Sequence, residues 1–319
     1  MHFRAVKDKI ALPLHWLGCA VAKYPESFGR AILGVIGASG RAAYFVPGSH
    51  VRRTLGDFCR ATGRSDPWPI YSRMVGNLRQ TALHYSTLYR YGRAKLLEQT
   101  VIDPTLATEF ERMRDRKGGL ILLVSHSAAA VLGSAGLSAT CPTVLLVREP
   151  RSPVRSQLMM EYIQKLGPEF ILSRNAPPAL VMRQIMRALR DNKVIVGTTD
   201  VINPQPDSVE TQAFGQRVHL PSWPAKIAAH LGVPIVPGFI HLEGPRIRLL
   251  ADESYAESDL QESTKRWMSS FERWFRRYPS DWVFMLDRRW ARVLAAASRC
   301  SQNQLGQPAS GKNRALSAH

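Results

Sequence analysis

Gly119-Leu120-Ile121-Leu122-Leu123-Val124-Ser125-His126-Ser127 is the stretch on which the fold turns. Its first six residues are unbroken apolar, bounded by glycine before and serine after, and too short for a helix of ordinary length. That pattern predicts a strand buried on both faces, the kind found in parallel sheets. In open α/β sheets ligands bind outside the carboxyl ends of the strands, which is where this strand delivers His126. An imidazole there stands where a general base is needed. The residues that follow, Ala128-Ala129-Ala130-Val131-Leu132, carry no carboxylate to orient it.

Outward from this strand the chain alternates. A helix is predicted near 128–138, then strand 143–148, helix 153–166 and a short strand Phe170-Ile171-Leu172. Helix 178–191 follows, and strand 193–199 runs directly into Asp200. A Pro-rich loop at Ile202–Pro206 leads to a helix starting near Ser222, strands 233–240 and 246–250, and a Trp-rich basic helix at about 261–277. Such alternation predicts an α/β fold with a mixed, largely parallel central sheet flanked by helices. Residues 1–100 read as helical; over Ile70–Arg90, Tyr71, Met74, Leu78, Ala82, Tyr85 and Leu88 recur at helical intervals. The expected organisation is a helical N-terminal region over 1–100, an α/β domain over 101–295 and a disordered, Ser/Gln/Asn/Gly-rich tail over 296–319.

The 319 residues suffice for a large core, and the apolar fraction of 45% is ordinary. The charge is not: 43 Lys and Arg against 25 Asp and Glu give +18, which favours polyanionic partners, either nucleic acid or an anionic membrane face. Their placement favours the membrane. Basic residues Arg4, Lys7, Lys9, Lys23, Arg30, Arg41, Arg52, Arg53 and Arg60 interleave with apolar patches at Ile10–Leu17 and Ala31–Ile36. Neither patch approaches the ~20 apolar residues of a spanning helix, whereas short amphipathic stretches flanked by cations suit an interfacial anchor. No helix-turn-helix, zinc-finger or RNP-like pattern supports nucleic acid, so none is expected as a partner. Cys19, Cys59, Cys141 and Cys300 lack paired spacing and read as reduced thiols. No His/Cys/acid cluster has metal-ligand spacing, so neither metal nor cofactor is expected. The absence of a Gly-x-Ser-x-Gly elbow disfavours a serine hydrolase.

Four segments together resemble the bacterial lipid A biosynthesis acyltransferases, a branch of the lysophospholipid acyltransferase superfamily. They are Val147-Arg148-Glu149-Pro150; strand 193–199 with Asp200; Phe214-Gly215 with Leu220-Pro221-Ser222-Trp223-Pro224-Ala225 and Gly232–Pro237; and Tyr278-Pro279-Ser280-Asp281-Trp282-Val283-Phe284-Met285-Leu286-Asp287-Arg288-Arg289-Trp290. The resemblance spans about 30–292. It implies a peripheral enzyme at the cytoplasmic face of the bacterial inner membrane, moving a fatty acyl chain from acyl carrier protein or acyl-CoA to a lipid acceptor. It also implies that His126 is the base. The chain departs from the family pattern at that point. The family has an acid after four intervening residues, whereas here Val131 occupies that place and no acid occurs between His126 and Glu149.

Acyl transfer from a thioester needs a base, donors for the tetrahedral oxyanion and a dry groove. Asp200 and, second, Glu149 are the candidates to replace the missing acid, since both end strands expected near that of His126. Backbone carbonyls or the Ser125 and Ser127 hydroxyls are the alternatives for holding the ring, and those two serines are candidates for substrate contact. Arg148 is placed to bind a phosphate or the donor's phosphopantetheine. Arg288 and Arg289 suit headgroup phosphates or simply a solvated helix face. The cations and aromatics of 265–277 suit either an interfacial helix or a core-facing aromatic stripe with a solvated basic side. The second functional expectation is a catalytically inert relative that binds acyl chains, lipid or acyl carrier protein.

Overall fold

A computed structural model describes residues 23–305. The opening strand reading holds: β2 (Leu120–Val124) is buried along its whole length and lies inside a seven-stranded sheet. With β1 (Thr100–Ile102), β3 (Thr143–Val147), β4 (Glu169–Leu172), β5 (Val194–Thr198), β8 (Ile235–Glu243) and β9 (Arg246–Ala251), the order across the sheet is β1-β9-β8-β2-β5-β3-β4. Every neighbouring pair is parallel except β8–β9. The fold is therefore α/β with a mixed, mostly parallel sheet between helices.

Alternation along β2 builds two cores, because successive side chains point to opposite faces. Ile121 and Leu123 join Ile195, Phe239, Trp267, Phe271 and Phe275 on one side. Leu120, Leu122 and Val124 join Val196, Val236, Leu88, Leu106 and Phe110 on the other. Gly119 must be glycine for this strand to start, since a Cβ there would lie 2.6 Å from the Leu189 carbonyl oxygen.

Among the described residues, three α-helices precede the sheet: α1 (Glu26–Ala42), α2 (His50–Thr62) and α3 (Pro67–Leu97). Pro67 at the first turn and the Asp66 side chain, which accepts from Trp68 N, start α3. Gly92, at φ 78°, breaks it near its end. After α4 (Pro104–Arg116), helices α5 (Ala130–Thr140), α6 (Pro153–Leu166), α7 (Pro178–Arg190), α8 (Trp223–Leu231) and α9 (Leu260–Arg277) follow within a few residues of their predicted places. Asp259 caps α9 by accepting from the main-chain N–H of Gln261 and Glu262. Trp267, Phe271 and Phe275 along α9 are fully buried, so of its two readings the core-facing aromatic stripe is the one observed.

The structure differs from the sequence reading in two places. The segment before Ser222 is a β-hairpin, β6 (Ser208–Ala213) with β7 (Gln216–Pro221), rather than loop alone. Its two-residue turn, Phe214-Gly215, has positive φ at both positions, which matches the twist of paired strands. The tail expected from 296 is helical as far as Leu305, within α10 (Arg288–Leu305), where Ala297 and Ser298 are buried. Residues 306–319 and the Ile10–Leu17 patch lie outside the described residues. Among the described residues no helix is long and apolar enough to cross a membrane.

Candidate active site

Strand register brings the first two functional side chains together. Val124 of β2 pairs with Thr198 of β5, so His126 and Asp200, each two residues further on, leave the sheet side by side at its carboxyl edge. His126 Nδ1 lies 2.5 Å from Asp200 Oδ1, and the His126 main-chain N–H donates to Asp200 Oδ2 at 3.0 Å. A carboxylate can only accept, so the proton of the ring contact belongs to Nδ1, and Nε2 keeps its lone pair. The carboxylate that meets the His126 ring thus lies 74 positions away in the sequence.

Asp200 is fully buried and gripped from several sides. Trp282 Nε1–H donates to Oδ2 at 3.1 Å, and Trp290 Nε1–H donates to the Asp200 carbonyl at 2.6 Å. Trp282 stacks flat on Phe275, with centroids 3.8 Å apart, and meets Trp290 edge to face. Phe284 covers one face of the His126 ring at 4.2 Å. The His126 side chain nevertheless keeps 33% of its surface exposed. Burial works against its charged form, but the Asp200 charge and hydrogen bond, with Asp287 beyond, outweigh burial and raise its pKa above the ordinary histidine value.

His126 opens on a cleft of about 590 Å³ between the ends of β2, β3 and β5 and helices α7 and α8. Leu146, Val181, Met182, Ile185 and Trp223 give it an apolar wall; Arg148, Arg174 and Lys226 line it with positive charge, and Asp207 is its only acid among the described residues. Trp223 fits because Gly197 of β5 lacks a side chain: a Cβ there would lie 2.5 Å from the indole ring.

The remaining predicted residues fall in different places. Arg148 lines the cleft. Glu149 does not reach His126. Its carboxylate accepts from the main-chain N–H of Arg174 and Asn175 at 3.0 and 3.1 Å, while the Arg174 guanidinium donates to its carbonyl. Burial opposes the Glu149 charge, but these donors outweigh it and hold its pKa below the usual carboxylate range. Glu149 therefore ties the β3 and β4 loops together and aims Arg174. Ser125 and Ser127 are not among the residues that line the cleft; both hydroxyls are sealed from solvent and have no hydrogen-bond partner among the described residues. Arg289 donates to the Ile202 carbonyl beside the cleft mouth, and Arg288 is exposed at the start of α10; neither lines the cleft. Arg174 and Lys226 escaped the sequence reading because nothing local distinguishes them from the chain's many surface cations.

Against known proteins, the model of the bacterial lipid A biosynthesis acyltransferase family matches residues 84–292, about two thirds of the chain. The chain belongs to that family. No curated protein matches it. The family carries out acyl transfer in lipid biosynthesis, and the matched span of this lipid A acyltransferase-family chain includes His126, Asp200, all three cleft cations and both tryptophans on Asp200. Val131, where the family places its acid, is on the first turn of α5 and partly exposed to solvent, at 39%.

Proposed function

We propose that the protein is an active acyltransferase that moves a fatty acyl chain from acyl carrier protein or acyl-CoA to a lipid acceptor, with His126 as general base. The observation that carries this reading is the Nδ1–Asp200 contact, which leaves Nε2 as the basic nitrogen beside an open cleft. His126 Nε2 takes the proton of the acceptor hydroxyl as its oxygen attacks the thioester carbonyl. The tetrahedral oxyanion collapses, the C–S bond breaks, and the imidazolium returns its proton to the leaving thiolate. Asp200 stabilises the imidazolium and fixes its tautomer, as the carboxylate of a serine-protease triad does. Arg148, Arg174 and Lys226 hold phosphate groups of the donor or the lipid headgroup. The apolar wall takes the first part of the acyl chain.

Its place of work is the anionic cytoplasmic face of the bacterial inner membrane, held peripherally. Supporting this, α1 and the turn after it expose Phe28, Val35, Ile36, Phe45 and Val46, while Arg30, Arg52 and Arg53 are exposed on the same helical region.

The test incubates purified protein with acyl-CoA or acyl carrier protein and bacterial phospholipid or lipid A precursor, comparing wild type with His126→Ala. Transfer by the wild type that is lost in the variant is expected. Transfer by neither, with acyl-chain binding retained by both, overturns the enzymatic reading in favour of an inert acyl-binding relative.

A further inference from the structure

A second histidine–carboxylate pair, its carboxylate buried, stands beside the first and takes no part in the chemistry above. His241 Nδ1–H of β8 donates to Asp281 Oδ2 at 2.7 Å. The other oxygen, Oδ1, accepts from Asn77 Nδ2 of α3 at 2.8 Å and from the Leu242 main-chain N–H at 3.3 Å. Tyr278 stacks on the His241 ring at 4.0 Å. Asp281 is 1% exposed, so a carboxylate with three donors here joins α3, β8 and the 278–287 segment at one point.

The same segment holds the site. The Asp281 carbonyl accepts from the Ala128 N–H at 3.3 Å, in the loop just after His126. Ser127 pairs antiparallel with Trp282. Trp282 donates to Asp200, and Phe284 lies on the His126 ring. Both contacts on the His126–Asp200 pair therefore come from residues one and three positions beyond the anchored carboxylate.

We infer that Asp281, fixed by His241 and Asn77, is a positioning residue that sets the registry of Trp282 and Phe284 against the His126–Asp200 pair. It acts through those residues and touches no substrate. Asn77, on α3, lies outside the matched family span. Releasing Asp281 lets the segment shift, removes the indole donor from Asp200 and frees the imidazole to turn.

The inference rests on the role proposed for His126, but its main readout needs no turnover. In full-length protein carrying 15N-histidine, the neutral His126 ring of the wild type should hold its proton on Nδ1. Asp281→Ala should convert it to a mixture of the two neutral tautomers. The same variant should lower kcat at least tenfold with KM within about threefold, and Asp281→Asn, which keeps an acceptor for Asn77 and Leu242, should recover most of the rate. If Asp281→Ala does not fold, Asn77→Ala, which deletes one donor and leaves the carboxylate paired with His241, gives the same tautomer measurement. A folded variant with the wild-type His126 tautomer overturns the inference even if the protein is an acyltransferase. Wild type that transfers no acyl group overturns the functional proposal and leaves the tautomer result to decide the positioning role.

Discussion

Replacing Asp200 by asparagine keeps the shape of the side chain and inverts one hydrogen bond. Oδ2 faces two donors, the His126 main-chain N–H and Trp282 Nε1–H. An amide NH2 at that position would confront both, so the amide oxygen must take it. The NH2 group then occupies the Oδ1 position, facing His126 Nδ1. The imidazole can accept that donor only by carrying its proton on Nε2, and the nitrogen needed as the base is blocked. In the serine-protease template the equivalent change lowers turnover by about 10⁴, or ~5 kcal/mol of barrier. A loss of that order is expected here at the wild type's optimum pH. The charge also disappears while burial remains, so the His126 pKa should fall, moving the acid limb of kcat/KM to lower pH. Release of free thiol from acyl-CoA, followed from pH 5 to 9 in roughly half-unit steps, reads both effects. Loss of one charge-assisted hydrogen bond costs roughly 1.5–3 kcal/mol of stability, so the variant should melt a few degrees lower but remain folded. A folded variant working within about threefold of wild type, with an unmoved acid limb, would refute the assignment of Asp200 as the partner of the base.

Three further outcomes are expected. Because the folded His126 pKa is raised, the ion pair's contribution to stability should be fully present below the unfolded-state value near ~6.5 and lost as pH rises through the folded value. The melting-temperature gap between wild type and Asp200→Asn should accordingly narrow from pH 5.5 to pH 9, and a constant gap would contradict it. Gly197→Ala drives a methyl group into Trp223 and should destabilise by about 1–3 kcal/mol in chemical denaturation, with a raised KM for the long acyl chain; unaltered stability would mean the indole moves aside freely. Combined Arg148→Gln, Arg174→Gln and Lys226→Gln should raise KM for phosphate-bearing substrates at least tenfold and flatten its dependence on salt, with a small drop in melting temperature from loss of the Arg174–Glu149 contact. An unshifted KM would move the anion contact elsewhere.

The parts legible in the sequence were those fixed by period and order. The apolar run 119–124, the strand entering Asp200 and the alternation between them specified a parallel pair, and a parallel pair in register carries His126 and Asp200 to one edge. Glu149 sits at a strand end in the same way, yet its side chain turns to two loop N–H groups; which way a side chain leaves a strand depends on register and on the neighbouring loop. The hairpin 208–221 went unread because its strands are short and polar on one side. Its signal was present in Phe214-Gly215, where positive φ at both turn residues is set between Ala213 on one side and Val218 and Leu220 on the other, all buried. Asn77, His241 and Asp281 were beyond reach, since nothing local marks three polar residues from a helix, a strand and a loop as one cluster. The aromatic grip on Asp200 depends on contacts across 82 and 90 positions for the same reason.

Because the partner of the histidine resides on a neighbouring strand, the short stretch after it is released from any duty to hold an acid. A change at Val131 leaves the carboxylate beside the imidazole in place. Relatives whose local His–acid spacing is broken should therefore not be classed as dead on that ground until the end of the adjacent strand has been inspected for a compensating aspartate.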